Sequence, residues 1–320
     1  MKRLLVRSSL FLFFVYAISL VLSWTYTNLF QCYKPNHSKI NWTLLRKGDN
    51  NDYAVLGSSR VYHMIDVTLL NKLTNKRGIN LATSGSSYAD NYALLTKYLE
   101  HNKIKTLVLN ADEFCFASSL HYSYPFSDYA YMPYFFEDSI HDVYRDNVPL
   151  WKYYLWTGIP LSRYIEFNEH YELSALLWFN RRGNKVVCDF DNTGSELLLD
   201  MKHHQFSPKD TAMTDRQTLN VDRKDESYFY KIQALCKAKS IQLILITSPI
   251  YCKGIYAVKN REKTQQYIEH LAYKERLLYV NFYGAVKLQK TYYFRDMTHT
   301  NVEGTRIYTR YLGDHLKGHL

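Results

Sequence analysis

The sequence lacks the cysteine spacing of a metal or redox motif. No Cys-x-x-Cys pair occurs among its five irregularly spaced cysteines, which are Cys32, Cys115, Cys188, Cys236 and Cys252. A zinc knuckle or a thioredoxin-like site is therefore not predicted, and we expect buried cysteines or at most one or two bridges. The adjacent His203 and His204 have no acidic or cysteine partner nearby, so we predict no metal site. No cofactor is predicted either.

The sequence also lacks a dense basic segment and internal repeats. Its net charge is +10, but Lys and Arg are spread along all 320 residues and many acidic residues accompany them. This pattern argues against a nucleic-acid partner and is compatible with an anionic membrane or glycan. The length suits one large α/β domain with appendages, or two small domains.

An uncharged apolar run occupies residues 8–24, after Lys2, Arg3 and Arg7. Its 17 residues are at the short end of a spanning helix. The basic residues would stay cytoplasmic, and Trp24 and Tyr26 suit the far membrane interface. A cleaved signal peptide is the alternative, but no A-x-A-like site follows Leu22. We therefore expect an uncleaved anchor, with the remaining chain periplasmic or at the cell surface.

Short apolar runs alternate with helical patterns over much of the remaining chain. Such alternation predicts an α/β fold, in which a parallel sheet is covered by helices on both faces. Strands are predicted at 53–56, 78–82, 104–109, 241–247 and 277–282. Helices are predicted from the turn at 84–87 to about residue 100, and at 225–239, 261–275 and 301–316.

An aromatic-rich segment interrupts this alternation. Twenty of the 67 residues at 114–180 are Phe, Trp or Tyr. They predict an inserted helical subdomain with an aromatic core; a sugar-stacking surface or a membrane-interface belt is the alternative. The predicted organisation is a cytoplasmic tip and membrane anchor at 1–27, a juxtamembrane stem at 28–52 and a domain at 53–320 that contains an insertion at 114–224.

Three polar groups follow predicted strands and together could perform acyl transfer. Gly57-Ser58-Ser59 follows the first strand, and Asp296 and His299 follow the last. A serine nucleophile needs a base within hydrogen-bond reach and a third group that orients the base. Gly85, at the opening of a helix, offers an N–H to a developing oxyanion. Because the carboxyl ends of parallel strands share one sheet edge, these groups could meet there.

These motifs resemble those of the SGNH (GDSL-like) hydrolase superfamily. The resemblance implies a three-layer flavodoxin-like fold with Ser59 as nucleophile, His299 as base and Asp296 as orienting acid. It assigns the oxyanion hole to the N–H groups of Gly85 and Ser59. The family's third motif follows the third strand and supplies an asparagine as a further oxyanion donor. Asn110 and Asp112 are the two candidates for this role, and Asp112 occupies the position of the family's asparagine. Arg60 and Asn80, within the first two motifs, are the predicted substrate contacts.

Leu56-Gly-Ser-Ser-Arg60 after an N-terminal anchor resembles a membrane-anchored subset of this superfamily. Its members modify the cell envelope, some beside membrane-bound O-acyltransferases in alginate acetylation or teichoic acid D-alanylation. The resemblance implies transfer or removal of a small acyl group on an envelope polysaccharide, and a multi-pass O-acyltransferase as a partner. The alternative is a catalytically inactive SGNH-like domain that binds glycan or scaffolds a membrane acyltransferase complex.

Overall fold

A computed structural model of the protein describes residues 2–33, 39–112, 115–116, 129–167, 190–198, 221–251, 260–284, 288 and 290–320. The chain divides into two compact units, which we describe separately. The helical unit comprises Met1–Leu45 and Phe126–Val187, and the sheet unit comprises Arg46–Pro125 and Cys188–Leu320.

The sheet unit is built on five parallel strands in the order β2-β1-β3-β4-β5. The strands are β1 (Asn50–Leu56), β2 (Gly78–Asn80), β3 (Lys103–Asn110), β4 (Gln242–Thr247) and β5 (Leu278–Asn281). Val55 pairs with Asn80 on one side and Val108 on the other, so β1 lies inside the sheet. Strand β2 lies on one side of β1, and β3, β4 and β5 lie on the other. Open α/β sheets bind ligands at such a switch point, which here lies between β1 and β3.

Helices cover both faces of this sheet. Its helices, numbered with those of the whole chain, are α3 (Ser59–Tyr62), α4 (Val67–Thr74), α5 (Tyr88–His101), α9 (Arg223–Ala238), α10 (Arg261–Lys274) and α11 (Val302–Leu316). Helix α4 packs against α11 in one layer, and α5 packs against α9 in the other. The predicted three-layer α/β fold is therefore confirmed.

The apolar residues of the central strands explain this arrangement. Val55, Leu107 and Leu245 are fully buried, as expected for strands covered on both faces. Ser87 is the N-cap of α5 and forms a capping box with Asp90. The Ser87 hydroxyl accepts from the Asp90 N–H, and the Asp90 carboxylate accepts from the Ser87 N–H. Helix α4 was not predicted, although its apolar face buries Val67 and Leu70.

The helical unit contains the long N-terminal helix α1 (Lys2–Tyr33) and the short α2 (Lys39–Leu44). Its other helices are a 3-10 helix at Tyr129–Tyr134, α6 (Asp138–Asn147), α7 (Leu150–Gly158) and α8 (Ser162–Ile165). The 27 residues Lys2–Asn28 of α1 are long and apolar enough to cross a membrane.

Residues 129–167 of the aromatic-rich segment are largely helical. Phe135 is fully buried and contacts the rings of Tyr144, Tyr153 and Trp156, so these residues form the predicted aromatic core. The short segment 190–198 belongs to the sheet unit, where Thr193 O accepts from Asn80 N over 2.8 Å. The aromatic residues Tyr122, Tyr124 and Trp178, the pair His203-His204, and Cys188 and Cys252 lie outside the described residues.

Candidate active site

Ser59 lies at the carboxyl end of the sheet, where β1 gives way to α3. Gly57 and Ser58 form the turn after β1, and Ser59 is the first residue of α3. Gly57 passes close to β3, because a Cβ atom added to it would lie 2.7 Å from Asn110 Cβ and 2.9 Å from Val61 Cγ2. The turn therefore needs glycine for close packing, and that packing fixes the position of Ser59.

Ser59, His299 and Asp296 form a hydrogen-bonded chain. Ser59 Oγ lies 2.9 Å from His299 Nε2, and His299 Nδ1 lies 2.8 Å from Asp296 Oδ2. This is the connectivity of a nucleophile, a base and a group that orients the base. If Nδ1 carries the proton that Asp296 accepts, the unprotonated Nε2 can receive the proton of Ser59. The structure thus brings together the three residues predicted to be catalytic.

The Asp296 carboxylate also organises the turn that carries His299. Its Oδ1 accepts hydrogen bonds from the backbone N–H groups of Thr298 at 2.8 Å and His299 at 2.9 Å. Burial raises the pKa of Asp296, but the bonds from His299 and these N–H groups outweigh it and hold the pKa at about 2. Asp296 is therefore ionised at neutral pH, as an orienting acid must be.

A second histidine lies beside the first. The rings of His63 and His299 contact edge to face, with centroids 6.0 Å apart. His63 Nδ1 lies 3.1 Å from Glu196 O, and its Nε2 lies 3.2 Å from Ser84 Oγ. Burial lowers the pKa of His63 to about 4, so the ring is neutral at pH 7. His63 therefore links the loop before Gly85 to the ring of His299 without adding a positive charge.

Two backbone N–H groups are available as oxyanion donors. Gly85 has a left-handed φ of +73° in the turn before α5, a conformation that glycine adopts without strain. Its N–H finds no acceptor among the residues that the structure describes. Ser59 is the first residue of α3, so its own N–H has no partner within that helix. These are the two backbone donors predicted for the oxyanion hole.

Asn110 and Asp112 are engaged with the protein interior. Asn110 Nδ2 donates to Asp112 Oδ2 at 2.7 Å and to Cys115 Sγ at 3.4 Å. Asp112 also accepts from Arg60 Nη1 at 2.7 Å, and a carboxylate has no proton to donate to an oxyanion. Both residues are fully buried. In this geometry neither side chain supplies the further oxyanion donor that the resemblance predicts.

The two predicted substrate contacts also lie in the interior. Arg60 is 4% exposed and, besides Asp112, donates to the carbonyl oxygen of Ser248. Asn80 is fully buried and its Nδ2 donates to Val61 O at 3.2 Å and Tyr62 O at 3.3 Å. We therefore replace the predicted substrate-binding role with a positioning role, since both side chains hold the segment that carries Ser59.

His63 and the Arg60–Asp112 ion pair were not predicted as parts of the site. The only sequence signal for His63 is its position one helical turn after Ser59. Cys115 is buried beside the ion pair, and burial raises the pKa of its thiol well above the usual value. Within the described part of the chain, no group of three or more His, Cys, Asp or Glu could hold a metal ion.

Comparisons with known proteins add little to this geometry. No family model and no curated protein matches the chain. A similar solved structure is a Bacteroides fragilis protein described as a "putative acylhydrolase". It is 10% identical with a TM-score of 0.38, and the match covers 85% of this chain and 91% of that chain. At this similarity the match identifies neither family nor substrate.

Proposed function

We propose that the chain is an SGNH-type serine enzyme that transfers or hydrolyses a small acyl group through an acyl-serine intermediate. The observation that carries the proposal is the chain of hydrogen bonds from Ser59 Oγ through His299 to Asp296. A serine hydroxyl alone is a poor nucleophile at neutral pH, and this connectivity is what activates it.

In the first half-reaction, Ser59 Oγ attacks the carbonyl carbon of an acyl ester while His299 Nε2 takes the hydroxyl proton. The carbonyl oxygen becomes an oxyanion, which the N–H groups of Gly85 and Ser59 stabilise. Asp296 holds the imidazole and balances the charge of the imidazolium. The tetrahedral intermediate then expels the alcohol, which leaves with the proton from His299, and acyl-Ser59 remains.

In the second half-reaction, a sugar hydroxyl or water gives its proton to His299 and attacks acyl-Ser59. Collapse of this second intermediate breaks the bond to Ser59 Oγ, and the proton returns from His299 to the serine. A sugar hydroxyl makes the enzyme an O-acyltransferase, whereas water makes it an esterase. Both outcomes use the same residues.

We further propose that α1 anchors the enzyme in a membrane, with the sheet unit outside the cytoplasm and an envelope polysaccharide as acceptor or substrate. The apolar length of α1 and the basic residues Lys2, Arg3 and Arg7 at its start support this orientation. The glycan and a multi-pass O-acyltransferase partner rest on the resemblance of Leu56-Gly-Ser-Ser-Arg60 to envelope-modifying SGNH-like proteins.

Labelling of the full-length protein with a fluorophosphonate probe tests the proposal. The wild type should be labelled, Ser59→Ala should not, and Ser58→Ala should be labelled because it leaves the nucleophile intact. Cells that carry Ser59→Ala should also show an altered acyl-ester content in their envelope polysaccharide. Labelling that persists in Ser59→Ala, or ester content that this variant leaves unchanged, would contradict the proposal. Absence of labelling in every variant would favour the inactive alternative.

A further inference from the structure

One face of α7 is apolar and exposed. The outward-facing residues of this helix and its C-cap are Leu150, Trp151, Tyr154, Leu155, Gly158 and Ile159. With 100° between successive residues, these positions cover one continuous half of the helix surface. Trp151 is 67% exposed and Tyr154 is 66% exposed. A helix face in contact with water is normally polar, so this half-surface is unusual.

The opposite face of α7 holds the helix to the rest of the helical unit. Lys152, Tyr153 and Trp156 are buried on that side. Lys152 is the one charged residue of α7 and is turned inward, where its ammonium group pairs with Glu166 and lies 4.9 Å from the centre of the Trp156 ring. The exposed half of α7 therefore carries no charge.

Within the same helical unit, α8 and the 3-10 helix contact the C-terminal end of α1. Tyr164, in α8, stacks on Tyr26 of α1 with ring centroids 5.5 Å apart, and its hydroxyl bonds to Thr27. Gln31 Nε2 donates to Pro133 O at 3.2 Å. These contacts lie at the C-terminal end of the apolar span Lys2–Asn28. In the proposed orientation, this end emerges on the outer side of the membrane. Ile165, next to Tyr164, is also exposed.

We propose that the exposed face of α7 lies in the headgroup region of the membrane that α1 crosses. This inference rests on the proposed anchoring of the chain by α1. Trp and Tyr favour the membrane interface, where their rings meet acyl chains and their polar atoms meet water. A helix with one apolar face settles about 5–10 Å into this boundary. Helix α7 packs against α8, and Tyr164 of α8 contacts α1. The membrane that α1 crosses is therefore the apolar surroundings that we assign to the exposed face of α7.

Quenching by brominated lipid tests this placement in the full-length protein. We compare Tyr154→Trp with Tyr273→Trp in phosphatidylcholine vesicles, with and without bromine in the upper part of the acyl chains. Tyr273 is the matched control, because it is an 84% exposed tyrosine on α10 of the sheet unit. Bromolipid should lower the emission added by Tyr154→Trp at least about twofold, and leave that added by Tyr273→Trp nearly unchanged.

A parallel Trp24→Phe variant separates this proposal from the anchoring on which it depends. The emission lost in that variant belongs to Trp24, near the outer end of α1, and should be quenched if α1 enters the bilayer. If Trp24 is quenched and Tyr154→Trp gains no more quenching than Tyr273→Trp, anchoring stands and the proposed α7 contact is wrong. If neither Trp24 nor Tyr154→Trp is quenched, both proposals fail.

Discussion

Arg60 donates through Nη1 to Asp112 Oδ2 over 2.7 Å, and the two side chains are 5% and 1% exposed. The pair joins the segment after β1, which carries Ser59, to the segment after β3. Asp112 also accepts from Asn110 at 2.7 Å. A buried charge that loses its partner costs about 3–5 kcal/mol, far more than a surface pair. Asp112 is thus part of a buried network that joins the segments after β1 and β3.

Replacing Asp112 by asparagine should destabilise the protein, even though asparagine is the residue that the resemblance predicts at this position. We expect Asp112→Asn to lower the free energy of unfolding by about 3–5 kcal/mol, since it leaves the Arg60 charge buried without its counterion. Denaturant unfolding of the full-length chain in detergent measures this change. Lys105→Ala, which removes the exposed Lys105–Asp52 pair, is the control and should cost at most about 1 kcal/mol. Equal losses of unfolding free energy in the two variants would show that the buried Arg60–Asp112 pair stabilises the protein no more than an exposed pair does.

Asp296→Asn should lower kcat by about 10²- to 10⁴-fold without unfolding the turn. The retained Oδ1 can still accept from the N–H groups of Thr298 and His299. The new amide N–H would face His299 Nδ1, which would place the ring proton on Nε2 and block proton transfer from Ser59. Hydrolysis of p-nitrophenyl acetate measures kcat. Thr298→Ala keeps the carboxylate and should lose much less; a similar loss in both variants would show that the turn, and not the charge, matters.

Much of the sheet and the pairing of Ser59 with His299 could be predicted, because both follow from local patterns. Each strand has its own apolar run, and the order of the strands places both residues at one edge. The roles of Arg60, Asn80, Asn110 and Asp112 could not be predicted in the same way. They depend on contacts such as Arg60–Asp112, whose partners are 52 residues apart. Similarly, nothing in the local sequence of the aromatic insertion indicates that Tyr164 packs on α1.

Gly57→Ala should reduce both stability and activity. The added methyl group would lie 2.7 Å from Asn110 Cβ and 2.9 Å from Val61 Cγ2, and such overpacking typically costs about 1–3 kcal/mol. The relieving shift would move Ser59, two residues away, out of line with His299. Thermal unfolding and the rate of fluorophosphonate labelling measure the two effects. Gly284→Ala is the control, because a Cβ atom there meets nothing within 4 Å; equal behaviour would mean that β1 and β3 have room to separate.

His63 should make the sheet unit sensitive to acid. Its pKa is about 4 in the folded protein because the ring is buried, whereas an unfolded histidine titrates near 6.5. Between these values the unfolded chain binds the additional proton. The stability contributed by neutral His63 is therefore complete above about pH 6.5 and falls as the pH drops towards 4. From pH 7 to pH 5 the loss should be about 2 kcal/mol.

His63→Gln isolates this contribution, because glutamine can bond Glu196 O and Ser84 Oγ but does not titrate. Its free energy of unfolding should fall about 2 kcal/mol less than that of the wild type between pH 7 and pH 5. His101→Gln, at the exposed C-terminal end of α5, is the matched control and should follow the wild type. If His63→Gln also follows the wild type, the His63 ring takes up its proton without leaving its site, and the acid sensitivity belongs to other groups.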